Sequence, residues 1–184
     1  MIPMSLTMLS ERCVVIAREY LEDKNINDSR EIQEPIFNSK LSSFNWSPAF
    51  GAASVFCEMV WKKTLGRENS GEWRQLDRLF SPSPIATHAN FRGCRDYKSG
   101  NIPEVGALAI WRRGNSWQGS IGIVSEVSED KETFSIIEGR AFVGSEKEGL
   151  IQVLESKGKK INLPFRNDKG NLLGFIYMKY EEIR

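Results

Sequence analysis

The chain has 184 residues, a net charge of +1 and 40% apolar residues, which is the profile of an ordinary globular protein with enough length for one domain over residues 1–184 and a sizeable core. So balanced a charge gives no reason to expect a nucleic-acid partner, and no apolar run is long enough to insert into a bilayer. The N-terminus has no basic n-region, and Glu11 and Arg12 interrupt any apolar h-region, so the sequence predicts cytoplasmic synthesis without a signal peptide.

Leu9, Cys13, Ile16, Ala17, Tyr20 and Leu21 recur at helical spacing, which predicts an amphipathic helix over about Thr7 to Glu22. Asp23 to Ser43 is polar and broken by Pro35, and reads as a loop. Trp46-Ser47-Pro48-Ala49-Phe50 then opens the stretch around which the chain is organised. Ser47 suits an N-cap and Pro48 the first helical position, where its missing N–H costs nothing. Lys62 and Lys63 suit the last turn, and Gly66 a stop. Apolar residues surround this helix, so it is expected at the centre of the fold.

Glu72 to Phe80 is a possible short helix, which Ser81-Pro82-Ser83-Pro84 breaks. Ile85 to Gly100 is weakly patterned and holds the sole histidine, His88. From Pro103 the period changes. Ala107 to Trp111, Ser120 to Val127, Thr133 to Glu138, Gly149 to Leu154 and Leu172 to Met178 read as strands, with turns at Arg112 to Ser116, Ser128 to Glu132 and Ser156 to Lys160. Helices followed by a meander of strands predict an α+β domain: a central helix against an antiparallel sheet of about five or six strands.

Cys13, Cys57 and Cys94 are odd in number and lack paired spacing, and the first two fall in apolar helical patterns. Buried free thiols are the expectation for those two. With one histidine and no Cys-x-x-Cys, no metal site is expected, and no cofactor.

Four short motifs, in order, carry a resemblance. Trp46-Ser47-Pro48-Ala49-Phe50 resembles the Trp-Cys-Ala-Ala-Phe that opens the nucleophile helix of the papain-like cell-wall hydrolases, the CHAP and NlpC-type amidases and endopeptidases. Pro103 to Trp111 resembles their Pro-x-x-Gly-Asp-Ile-Val-x-Trp strand. Gly119-Ser120-Ile121-Gly122-Ile123-Val124 resembles Gly-His-Val-Gly-Ile-Val, and Ile137-Glu138-Gly139-Arg140 resembles Ile-Glu-Gly-Asn. Leu173-Gly174-Phe175-Ile176 is similar to the closing strand of one phage and bacterial branch. The likeness runs from about residue 10 to 178 and implies a papain-like fold.

The same resemblance implies a degenerate site. Ser47 stands where the family has its nucleophilic Cys, Ser120 where it has the His base, and Arg140 where an Asn orients that His. The family reaction needs a thiolate formed beside an imidazole. A serine hydroxyl is far more basic and needs a general base, and a second serine cannot take its proton at neutral pH. Ser47 therefore reads as a cap, Ser120 as a small residue filling the former His space, and Glu138 as a carboxylate paired with Arg140. No catalysis of the family type is expected. The sharpest enzymatic alternative is a rebuilt set of Ser47, His88 and Glu138.

Trp46, Ser47, Ser120, Glu138 and Trp117 are the candidate lining of any retained binding groove. Trp111 and Trp117 flank the Arg112-Arg113 turn, either as an exposed rim or buried against the sheet. The basic turns, Arg112-Arg113 and Lys157 with Lys159 and Lys160, read as solvated, with contact to phosphate or an acidic surface as the alternative. By this resemblance the chain is a degenerate peptidoglycan-hydrolase-like protein. It would serve as a structural part of a phage or phage-like particle, partnered by protein, or as a peptidoglycan-binding module; a virion location follows from the first. The alternative is an active amidase or endopeptidase with a serine-based site.

Overall fold

A computed structural model describes residues 6–22, 48–65, 70–141, 151–160 and 170–178. Among the described residues four helices, α1 (Leu6–Glu22), α2 (Pro48–Leu65), α3 (Gly71–Leu79) and α4 (Pro84–Gly93), precede six strands. These are β1 (Ser99–Gly100), β2 (Leu108–Arg113), β3 (Gly119–Val127), β4 (Thr133–Ala141), β5 (Ile151–Lys160) and β6 (Gly170–Ile176). Every pairing is antiparallel, in the order β1-β6-β2-β3-β4-β5. The α+β architecture expected from the order of elements is the one observed.

α1 turns Cys13 and Ala17 inward and leaves Val15 exposed, the one-sided burial its spacing dictates. α2 begins at Pro48, carries Lys62 and Lys63 in its last turn, and buries Ala52, Val55, Phe56, Cys57, Val60 and Trp61. Ser54, Glu58 and Lys62 on the same helix are buried as well. Lys62 tolerates this because its ammonium stands 2.8 Å from Glu58 Oε1, meets Asp77 of α3 and lies 5.5 Å from the centre of the Trp73 ring. Trp46, Ser47 and Gly66 lie outside the described residues, so the expected cap and stop of α2 do too.

Three sequence expectations change. Residues 84–93, read as weakly patterned, form α4: Ser83 Oγ accepts from Ala86 N at 3.3 Å and Pro84 occupies the first turn. The Ser-Pro pair taken as a breaker is thus also a helix start. Ser156 to Lys160, read as a turn, continues β5, because Ser156 pairs with Ile136, Lys159 with Phe134 and Lys160 with Thr133. A register shift in β4 between Phe134 and Ile136 and Gly158, whose φ is +65°, absorb the irregularity. Arg112 and Arg113 end β2 rather than forming the turn, which begins at Gly114 with φ +55°.

The sheet has two buried faces. Leu108, Ile110, Ile121, Ile123, Ile137, Val153 and Ile176 pack against the helices. Ala107, Ala109, Trp111, Val124, Phe134, Ile136 and Phe175 line the other side. That second face is strongly concave. Phe134 of β4 and Phe175 of β6 stand three strands apart in the sheet order, a separation of about 14 Å in a flat sheet. Their ring centroids are 5.2 Å apart, and Trp111 stacks on Phe134 at 6.0 Å. Aromatic side chains from three strands thus converge into one cluster on the concave side of the sheet.

Candidate functional site

Strand alternation decides which predicted site residues meet. Ser120 pairs with Trp111, and Val124 pairs with Ile136. Trp111, Val124 and Ile136 all line the concave face, so Ser120 belongs there. Glu138 and Arg140 follow Ile136 at the same parity in β4, and Ser156 and Lys159 of β5 pair with Ile136 and Phe134 of that face. The structure thus gathers Ser120, Glu138 and Arg140 on the concave side of the sheet.

Glu138 is the centre of this group. Its residue is 2% exposed. Arg140 Nη2 donates to Glu138 Oε1 at 2.9 Å and Ser156 Oγ donates to the same oxygen at 3.4 Å. Burial raises the Glu138 carboxyl above its ordinary range. The charges of Arg140 and Lys159 and the two hydrogen bonds pull it down without cancelling that effect. Arg140 Nε is itself buried without a hydrogen-bond partner. The expected Glu138–Arg140 pairing is present. Ser156 and Lys159 are not legible as site residues in the sequence, where Ser156 to Lys160 reads as a turn. No local signal marks them, because residues 155–160 are all polar or glycine and only their pairing with β4 makes them a strand.

Ser120 is half-buried, and among the described residues its hydroxyl makes no hydrogen bond. Trp117 stands 57% exposed in the β2–β3 turn, whereas Trp111 is 2% exposed. The two tryptophans that flank the hairpin tip therefore part ways: one is core, the other surface. Trp46 and Ser47 lie outside the described residues.

His88 sits elsewhere. Its Nε2 lies 3.8 Å from where a Cβ on Gly174 would stand, and Gly174 pairs with Ile110, which faces the helices. Glu138 faces the other side of the sheet, on a strand three places from β6. Of the Ser47–His88–Glu138 set, Ser47 lies outside the described residues, and His88 and Glu138 face opposite sides of the sheet.

The thiols follow expectation. Cys13 and Cys57 are buried and free, and Cys94 is half-buried and free. Burial pushes the Cys13 thiol up to about 12 and the Cys57 thiol well above its ordinary value. Among the described residues no three His, Cys, Asp or Glu side chains come together as they would around a metal ion. Among them, too, no helix is long and apolar enough to cross a membrane.

The chain matches no protein-family model, no curated protein and no solved structure. The functional reading therefore rests on its own residues.

Proposed function

We propose that the chain is a catalytically degenerate, papain-like domain of the peptidoglycan-hydrolase type. In this reading it is retained as a structural component of a phage or phage-like particle, or as a non-catalytic binding module. The observation that carries the reading is the content of the concave face. Ser120, Glu138 and Arg140 occupy it together, while the sole imidazole of the chain lies across the sheet. A carboxylate already engaged by Arg140 and Ser156 and a serine in the base position supply no group to activate a hydroxyl at Ser47. The motif order from Trp46 to Ile176 supports the papain-like assignment, and the helix-on-antiparallel-sheet architecture is compatible with it.

The test is incubation of the purified protein with peptidoglycan sacculi, with released fragments and pelleted protein measured in one tube. The expected result is no release. Specific pelleting weakened by Ser120→Trp places the chain among binding modules. Absence of pelleting gives the weight to a role in an assembly, and the partner is then sought by cross-linking in the native particle. Fragment release abolished by Ser47→Ala would overturn the proposal and establish a serine-based hydrolase.

A further inference from the structure

A second polar site lies on the helix-covered face, where α4 crosses β2 and β6. It is independent of the reading above. α4 rests on two glycines. A Cβ on Gly119 would meet Pro84 and Ile85 of its first turn, at 3.4 and 3.3 Å. One turn later His88 lies over Gly174, whose φ is +138°. A Cβ on Gly174 would stand 3.8 Å from His88 Nε2, 3.6 Å from Asn101 Oδ1 and 2.9 Å from the Gly100 carbonyl oxygen. The missing side chain therefore leaves an imidazole nitrogen, the Asn101 side-chain oxygen and the Gly100 carbonyl oxygen bordering the same point. Arg112 pairs with Gly119 and shares the face of Ile110, two residues earlier in β2, whose partner is Gly174. Arg92 follows His88 by one helical turn.

We propose that the junction of α4 with β2 and β6 binds an oxyanion, held by the Arg112 guanidinium beside His88, with the exposed Arg92 reaching it from the end of α4. Three features point to a missing anionic partner. His88 is 8% exposed, and among the described residues its ring makes no hydrogen bond. Arg112 Nε is buried without a hydrogen-bond partner, a state that folded proteins seldom leave uncompensated. The charges acting on His88 are Arg92 and Arg112, both of its own sign, and with burial they hold the imidazole below its ordinary value. A planar guanidinium fork matches the oxygens of a phosphate or a carboxylate, and a partly buried site strengthens the match. Either group supplies the same chemistry: two or more oxygens carrying negative charge.

The uniqueness of His88 makes the test direct. The Hε1 proton resonance of the intact protein is followed against pH in chloride, in inorganic phosphate and in acetate, all at equal ionic strength. Binding is expected to give a saturable shift of that resonance and to move the His88 midpoint up by about one pH unit. Arg112→Gln is expected to abolish both effects, Arg92→Gln to weaken them at least several-fold, and Arg78→Gln, an exposed control on α3, to leave them intact. A response to phosphate alone assigns a phosphate-bearing ligand, and a response to acetate as well admits carboxylates. Midpoints identical in all three salts, or an anion response that survives in Arg92→Gln and Arg112→Gln, would overturn the proposal. Should Arg112→Gln lose the native circular dichroism spectrum, the wild-type titration and Arg92→Gln decide.

Discussion

The two faces of the sheet are both buried, yet each holds a different ionisable group, His88 on one and Glu138 on the other. On one face, four helices supply the cover, and Trp61 of α2 knits them to the sheet. Its ring meets Phe80 and Phe91 edge-on and stacks with Tyr97, and its Nε1 donates to the Gly106 carbonyl at 3.2 Å. On the other face, curvature brings Trp111, Phe134 and Phe175 together. The helix face holds a histidine subject to the like charges of Arg92 and Arg112, the concave face a glutamate among basic and hydroxyl groups. Each ionisable group is disfavoured in its charged form by burial, so the two faces should answer pH in opposite directions.

The largest effect should come from the helix face. Trp61→Ala removes a fully buried indole and is expected to cost about 3–5 kcal/mol of unfolding free energy, as judged by urea denaturation. Loss of the Nε1 donor weakens the anchoring of Gly106, whose φ is +84° and where an added Cβ would stand 3.0 Å from Ser10 Cα of α1. A cost below about 1 kcal/mol would mean that the helices are not held through this ring. Phe134→Ala should come next, at about 3 kcal/mol. It should also flatten the near-ultraviolet dichroism of the stacked aromatics while far-ultraviolet helical signal persists below the transition. If the helical signal is lost first, the two faces are not separable in this way.

The pH responses are smaller and sharpen the contrast. The folded-state pKa of Glu138 is raised above the ordinary 4.5. Its contribution is fully present below about pH 4.5 and is lost as pH rises through the folded value. Glu138→Gln should therefore melt at or above the wild-type temperature at pH 7, with the difference closing toward pH 4. A variant that melts lower at pH 7 would show that pairing with Arg140 outweighs burial. His88 has its folded value lowered below the ordinary 6.5. Its contribution is present above about pH 6.5 and is lost as pH falls toward the folded value. His88→Gln should remove stability loss in that acidic window and leave the alkaline side unchanged. Smallest of all, a thiol reagent at pH 8 should label Cys94 readily in the native protein. Cys13 and Cys57 should react only on unfolding, because both are buried with raised pKa values.

Much of the architecture was legible because it rests on short-range rules. Helical spacing from Leu9 to Leu21 placed α1, the Ser-Pro signal and the apolar run placed α2, and alternation from Ser120 to Val127 placed β3. The misreadings have a common cause. Ser83-Pro84 carries the same N-terminal signal as Ser47-Pro48, but its ten-residue helix has no one-sided apolar stripe. It is stabilised by lying over Gly119 and Gly174, which are far away in sequence. β5 beyond Leu154 looks like a basic turn because its pairing partner, β4, lies outside any local window.

The order and class of the elements, the buried thiols and the serine at position 120 were readable from the residues alone. These follow from periodicity, capping chemistry and residue identity, each a property of neighbouring residues. That Glu138 and Arg140 share a face with Ser120, that Trp111 is core while Trp117 is surface, and that His88 stands across the sheet from Glu138 emerged with the packed fold. Those relations depend on strand register and on sheet curvature. A one-residue slip of register turns every side chain of a strand to the other face, and no local pattern in this chain specifies how far the sheet must curl.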